Sequence, residues 1–109
     1  MKRGDIVTVA AGHGFGGKPR PALVIQADEY EQISTVVVLL FTSELIETPV
    51  SRPRFEPTPE NGLVSTSDLM TDIFVTARRK NIGGKIGELN DEAMALVDRA
   101  LIVFLGLSG

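Results

Sequence analysis

Cysteine is absent from the 109-residue chain. That removes a disulfide framework, thiolate metal ligands and a cysteine nucleophile together. Histidine occurs once, and no acidic or histidine group has metal-ligand spacing, so neither a metal nor a cofactor is expected. No apolar run approaches the roughly 20 residues that span a bilayer. The opening stretch MKRGDIVTVA lacks a signal-like apolar segment. The expectation is a cytoplasmic protein with no membrane partner. An excess of basic residues is lacking too. The formal net charge is −3, which argues against binding nucleic acid by bulk charge yet leaves room for a local cationic site on an acidic body.

What is present suits one domain, residues 1–109, with 43% hydrophobic and 23% charged residues. A core this small often completes its burial in a partner. Alternation and β-branched content predict a strand over 5–10 (DIVTVA) and another over 21–26 (PALVIQ). The stretch 34–42 (STVVVLLFT) is apolar on both faces and reads as a central strand. Residues 50–57 (VSRPRFEP) are extended, but Pro53 confines them to an edge. Residues 58–62 (TPENG) form a turn. Residues 65–77 form a strand pair or one bent strand, and 78–89 form a turn and a short return strand. Between the first two strands, AAGHGFGGK (10–18) reads as a flexible glycine-rich loop. It is no phosphate-binding P-loop, because a strand follows it and the Gly-Lys-Ser/Thr ending is missing.

The period then changes. Residues 90–106 form one helix, with Asn90 as N-cap, Asp91 and Glu92 at its positive end, and Gly106 as stop. Met94, Val97, Leu101 and Phe104 recur at helical spacing, while Ile102 and Leu105 widen the apolar face. Such a helix is buried on more than one side. The fold class is α+β, a small curled β-barrel with a C-terminal helix packed on it.

The sharpest chemical feature is Arg20 between Pro19 and Pro21. Pro21 disfavours the α region for Arg20, so the guanidinium is pre-set at the mouth of a strand. Its forked donors match a phosphate. Thr42 ends the central strand, where a sheet end presents its hydroxyl. Asp72 stands in the apolar stretch LMTDIFV, so it is either paired, with Arg78 or Arg79 the expected partner, or functional. Lys18, Arg52, Arg54, Arg78, Arg79 and Lys80 lie in or beside loops and edges, where a solvated mixed surface is the plain alternative. A Ser-His-Asp hydrolase is disfavoured by the lack of a nucleophile-elbow signature.

In family order, the chain shows RGDIVTV (3–9), a glycine-rich loop into RPALVIQ (20–26), FTSEL (41–45), PENGL (59–63), LMTDIFVTARRKNIGGKIGEL (69–89) and ALIVFLGL (100–107). The sequence thereby resembles, over nearly its whole length, the MazF/PemK (Kid) toxins of bacterial toxin–antitoxin pairs. The resemblance implies an SH3-like barrel, a homodimer, a cognate antitoxin as partner, and metal-independent cleavage of single-stranded RNA at short motifs. By motif match, Arg20 and Thr42 take the family's catalytic arginine and threonine, Ser43 its neighbouring serine, and Asp72 the aspartate of the Kid branch. AGH (11–13) resembles the loop that carries an RNA-contacting histidine, which places His13 there. The chain departs from the Kid branch at Met70, where that branch has an arginine, and by one extra residue in the loop.

The reaction this implies is attack of a ribose 2′-OH on its own 3′-phosphate. Arg20 stabilises charge on the phosphoryl oxygens, Thr42 holds the phosphate or the 2′-OH, and Asp72 or His13 takes the proton. Lys18, Ser43, Arg52, Arg54, Arg78 and Arg79 are the expected RNA contacts, with Lys80 beside them. Aromatic stacking has little to work with, since only Phe15 lies in the loop region. The CcdB-type gyrase poisons share the fold and a similar C-terminal half, and they are the alternative. Their activity depends on a C-terminal Trp-Gly, where this chain has Leu105-Gly106 and no tryptophan. An inert SH3-like interaction module is the third reading.

Overall fold

The computed structural model describes residues 1–10 and 18–107. Its order is β1 (Asp5–Val9), β2 (Arg20–Val24), β3 (Thr35–Thr42), β4 (Arg54–Phe55), β5 (Ser67–Arg78), β6 (Ile82–Glu88) and α1 (Asp91–Leu105), with 3-10 turns at Asp28–Tyr30 and Arg79–Asn81. The strands form one antiparallel sheet in the order β4-β5-β3-β2-β1-β6. β3 is central and β4 is an edge, as the sequence predicts. β6 does not fold back on β5: the turn at 79–81 carries it away to pair with β1, across the barrel.

The sheet curls because its two edges are drawn together. Glu88 N–H donates to the Glu60 carbonyl at 2.9 Å, joining β6 to the turn that follows β4. Asn61 locks that turn. Its Oδ1 accepts from Thr58 N–H (3.0 Å) and Leu63 N–H (2.9 Å), and its Nδ2 donates to the Glu56 carbonyl (2.9 Å). At Gly62 the backbone is left-handed, φ 68°, and a Cβ there would collide with the Ile86 carbonyl. Only glycine suits both the dihedral and the space.

Both sheet faces are apolar. Ile6, Leu23, Leu39, Phe41 and Leu69 pack with Val97 and Leu101 of α1. Val7, Ala22, Val24, Val36, Val38, Leu40 and Val75 fill the opposite face. β2 ends at Val24, two residues earlier than predicted, because the Gln26 side chain replaces the ladder: it donates to the Thr35 carbonyl and accepts from Val37 N–H. β5 is one bent strand. Leu39 opposes Phe74 while Phe41 opposes Leu69, two steps on β3 against five on β5. The extra residues bulge and bend the strand.

Asn90 accepts from Ala93 N–H at 2.8 Å, and Gly106 at φ 69° ends the helix with Leu107 N–H bonded to the Ile102 carbonyl. Both caps fall where the sequence puts them. Arg3 pins α1 to the sheet through the Ile25 carbonyl (2.8 Å) and Asp98 (2.7 Å). Leu96, Ile102, Val103, Phe104 and Leu105 remain exposed, and Phe104 stacks on Phe74 of β5 at 6.3 Å. Among the described residues no helix is long and apolar enough to cross a membrane.

Candidate active site

The site grows from strand register. Arg20 is the first residue of β2 and opposes Val9. Ala22 opposes Leu40, and continuing that register by two residues sets Arg20 across from Thr42, the last residue of β3. Thr42 opposes Asp68, and Asp68 opposes Arg54. Directly opposed residues share a sheet face, with Cβ atoms about 5 Å apart. Arg20, Thr42, Asp68 and Arg54 therefore form a row across one end of the sheet. Neighbours in the row are up to 26 residues apart in sequence, and its members span 48.

Each member has a defined chemical state. Arg20 is exposed at the sheet end. Thr42 Oγ1 accepts from Glu44 N–H at 3.1 Å, which turns the chain and leaves the hydroxyl proton to donate outward. Ser43 is exposed beside it and lines, with Arg20, Leu63, Val64, Ser65 and Ser67, a small cleft at this end of the barrel. Asp68, 4% exposed, accepts a forked bond from Arg54 at 2.8 and 3.1 Å. Lys18 is exposed two residues ahead of Arg20. His13 and Phe15 lie outside the described residues.

Asp72 stands apart from the row, on the bulge of β5. Its partner is Arg52, not Arg78 or Arg79. The guanidinium grips both carboxylate oxygens at 2.9 Å, with side-chain exposures of 11% and 21%. Those hydrogen bonds hold the Asp72 carboxyl below the usual carboxylate range, against the opposing effect of burial, and they raise Arg52. A carboxylate so held is a weak proton acceptor.

Arg52 and Arg54 flank Pro53, which has no N–H for a ladder. β4 is accordingly two residues long, and side chains replace the missing bonds. Arg52 reaches Asp72, Arg54 reaches Asp68, Thr71 Oγ1 donates to the Ser51 carbonyl at 2.9 Å, and Leu69 N–H donates to the Pro53 carbonyl at 2.9 Å. Sequence reasoning gave Asp68 no role. The signal was present: arginines two apart on an edge segment face aspartates on the neighbouring strand.

Arg78 and Arg79 occupy the far end of the sheet. Arg78 opposes Thr35, the first residue of β3. Across the eight residues of β3, that end lies about 24 Å from Thr42. Arg79 donates to the carbonyls of Ile33 (2.5 Å) and Tyr30 (3.2 Å), fixing the β2–β3 connection. Among the described residues no group of three His, Asp or Glu side chains is placed to hold a metal ion.

The sequence profile of the PemK-like, MazF-like toxins of type II toxin–antitoxin systems matches residues 2–105. The chain is 44% identical over 109 residues, 100% of both chains, to a probable endoribonuclease MazF of Mycolicibacterium smegmatis. It is 28% identical over 106 residues, 93% of each chain, to endoribonuclease MazF6 of Mycobacterium tuberculosis. Its fold matches the solved structure of M. tuberculosis toxin MazF-mt6 with a TM-score of 0.80 at 19% identity, covering 96% of this chain and 99% of that one. A mycobacterial endoribonuclease solved in complex with its cognate antitoxin gives 0.79 at 21%, covering 100% and 98%. With an Arg20–Thr42 pair on the sheet end and a family match spanning nearly every residue, this chain belongs to the PemK-like, MazF-like toxins of type II toxin–antitoxin systems.

Proposed function

We infer that the chain is an endoribonuclease toxin that cuts single-stranded RNA at short motifs without a metal ion. The observation that carries this is the register that brings Arg20 opposite Thr42. It places a permanent cation and a hydroxyl donor on neighbouring strands, with Cβ atoms about 5 Å apart, at one end of the sheet. The ribose 2′-oxygen attacks the adjacent phosphorus, and the P–O5′ bond breaks. The products are a 2′,3′-cyclic phosphate and a 5′-hydroxyl, with the leaving oxygen protonated. Arg20 stabilises the charge that builds on the phosphoryl oxygens, and the Thr42 hydroxyl donates to one of them. Of the two candidate bases, Asp72 is a weak one because Arg52 occupies both its oxygens. The other candidate, His13, lies outside the described residues. Asp72 then acts by fixing the bulge of β5.

The working unit is a cytoplasmic homodimer silenced by a cognate antitoxin. Support for the dimer is the exposure of Phe74, Ile102, Val103, Phe104 and Leu105, large apolar side chains that a monomer would leave in water. Support for the antitoxin is family membership and the solved complex of a mycobacterial endoribonuclease with its own antitoxin.

The test is cleavage of a long single-stranded RNA in excess EDTA, followed by one 2′-deoxy substitution at the mapped cut. Cleavage persists in EDTA and stops at the deoxy position while binding holds. A requirement for added magnesium overturns the metal-free reading. Cutting at the deoxy position replaces internal attack with attack by water.

A further inference from the structure

We propose that Arg78 and Lys80, with Ser34 and Thr35, form a second phosphate-binding subsite for single-stranded RNA at the end of the sheet opposite Arg20. The proposal rests on the nuclease reading above and extends it.

Pairing decides which cations are available to an outside anion. Arg3, Arg52, Arg54 and Lys85 each form an ion pair with an aspartate or glutamate of the chain. Arg52 and Arg54, expected from sequence to follow the RNA, have their forks on Asp72 and Asp68. Arg78, Arg79 and Lys80 are three consecutive cations, and among the described residues none of them has a carboxylate partner, Glu29 and Glu31 on the neighbouring connection included. An unneutralised cationic triplet on a chain of net charge −3 is a strong local field.

Shape supports the reading. Ser34, Thr35, Arg78, Arg79 and Lys80 line one pocket of about 420 Å³. Arg79 braces it: its bonds to the Tyr30 and Ile33 carbonyls, and its own N–H to the Ser34 carbonyl at 2.9 Å, fix the backbone that carries Ser34. Arg78 and Lys80 are exposed on either side of it. Two cations with two hydroxyls match phosphate oxygens. The residues that line the pocket are all polar or charged, while Tyr30 and Ile33 are exposed beside it, so binding of an acidic peptide is the competing outcome that the experiment separates.

Distance sets the consequence. About 24 Å separates this pocket from Thr42 along β3. An extended strand of roughly four to six nucleotides covers that span, within the usual site size of a small barrel. Short substrates then reach only the Arg20 end.

The experiment compares wild type with the Arg78→Gln/Lys80→Gln double variant. The probes are uncleavable 2′-O-methyl oligonucleotides of about two nucleotides, too short for the span, and about twelve nucleotides. Binding is measured from about 50 to about 200 mM salt, with cleavage of a long RNA in parallel. Each lost contact to a single strand lowers the log–log salt slope by about 0.7, so the double variant loses about 1.4 on the long probe. Its affinity then falls about sevenfold less across that salt range than wild type's. The short probe binds both proteins alike, and Lys80→Gln alone gives half the change if the double variant folds poorly. Equal slopes on the long probe, with wild type cutting RNA normally, overturn the subsite and leave the nuclease standing. Weakened binding of an oligoglutamate peptide with RNA binding unchanged assigns the pocket to an acidic partner and also overturns it. A wild type that neither binds nor cuts RNA overturns both readings.

Discussion

Arg52 grips Asp72 with both arms of its guanidinium, each at 2.9 Å, across twenty residues of chain. The pair lies where Pro53 denies β4 a backbone bond and where β5 bulges. It is a fastening for the edge of the sheet, and it is mostly shielded from water.

Breaking it therefore costs stability. Arg52→Ala leaves a half-buried carboxylate with no partner, and the expected loss is about 2 kcal/mol, or a melting temperature lower by about 8 °C. The pH dependence has a definite sign. Asp72 is depressed in the folded state, so the unfolded chain binds the proton more readily. The pair's contribution is fully present above the unfolded carboxylate value of about 3.9 and is lost as pH falls through the lower folded value. Acid melting curves of wild type and Asp72→Asn should therefore converge as pH drops below about 4. Curves that stay parallel would remove the pair from the stability of the fold.

Arg20→Ala should abolish cleavage while the melting temperature stays within about 3 °C of wild type, because the side chain is exposed. Arg20→Lys should lose most activity as well, since the planar fork is gone. Thr42→Val, which removes the donor and keeps the shape, should slow turnover about a hundredfold. Full activity in the lysine variant would show that a point charge is enough.

Val103, 65% exposed, lies in the apolar surface assigned to the dimer. Sedimentation of the wild type at micromolar concentration should give a dimer, and Val103→Glu should give a folded monomer. A wild-type monomer at that concentration rejects the assignment. A dimer unaffected by the glutamate moves the interface elsewhere on the surface.

Gly62→Ala should lower stability by about 2–3 kcal/mol, through the left-handed backbone and the collision with the Ile86 carbonyl. Gly84 is the control, because a Cβ there would meet nothing within 4 Å. Gly84→Ala should change the melting temperature by less than about 4 °C. Similar melting of both variants would mean that the Glu60–Glu88 contact is not what holds the barrel edges together.

Local rules made much of this molecule legible in sequence. Asn90 and Gly106 bound the helix because capping is decided within a turn of the chain. The apolar run of β3 marks a central strand, and Pro53 marks an edge, because each depends on a residue's own backbone or on its two faces. Arg20 stands out through its proline neighbours, before any contact is known. The tertiary structure alone decided the rest. Asp72 belongs to Arg52, rather than to Arg78 or Arg79, because a bulge in β5 turns it toward the edge strand. β6 leaves β5 for β1 because the sheet closes through the Asn61 turn. Arg20 stands across from Thr42, while Arg78 lies about 24 Å away, because register converts sequence order into positions across the sheet. A sequence states which groups are charged, stiff or apolar. Which of them neutralise one another, and which stay open to a ligand, follows from strand pairing over long separations, where no local preference reaches.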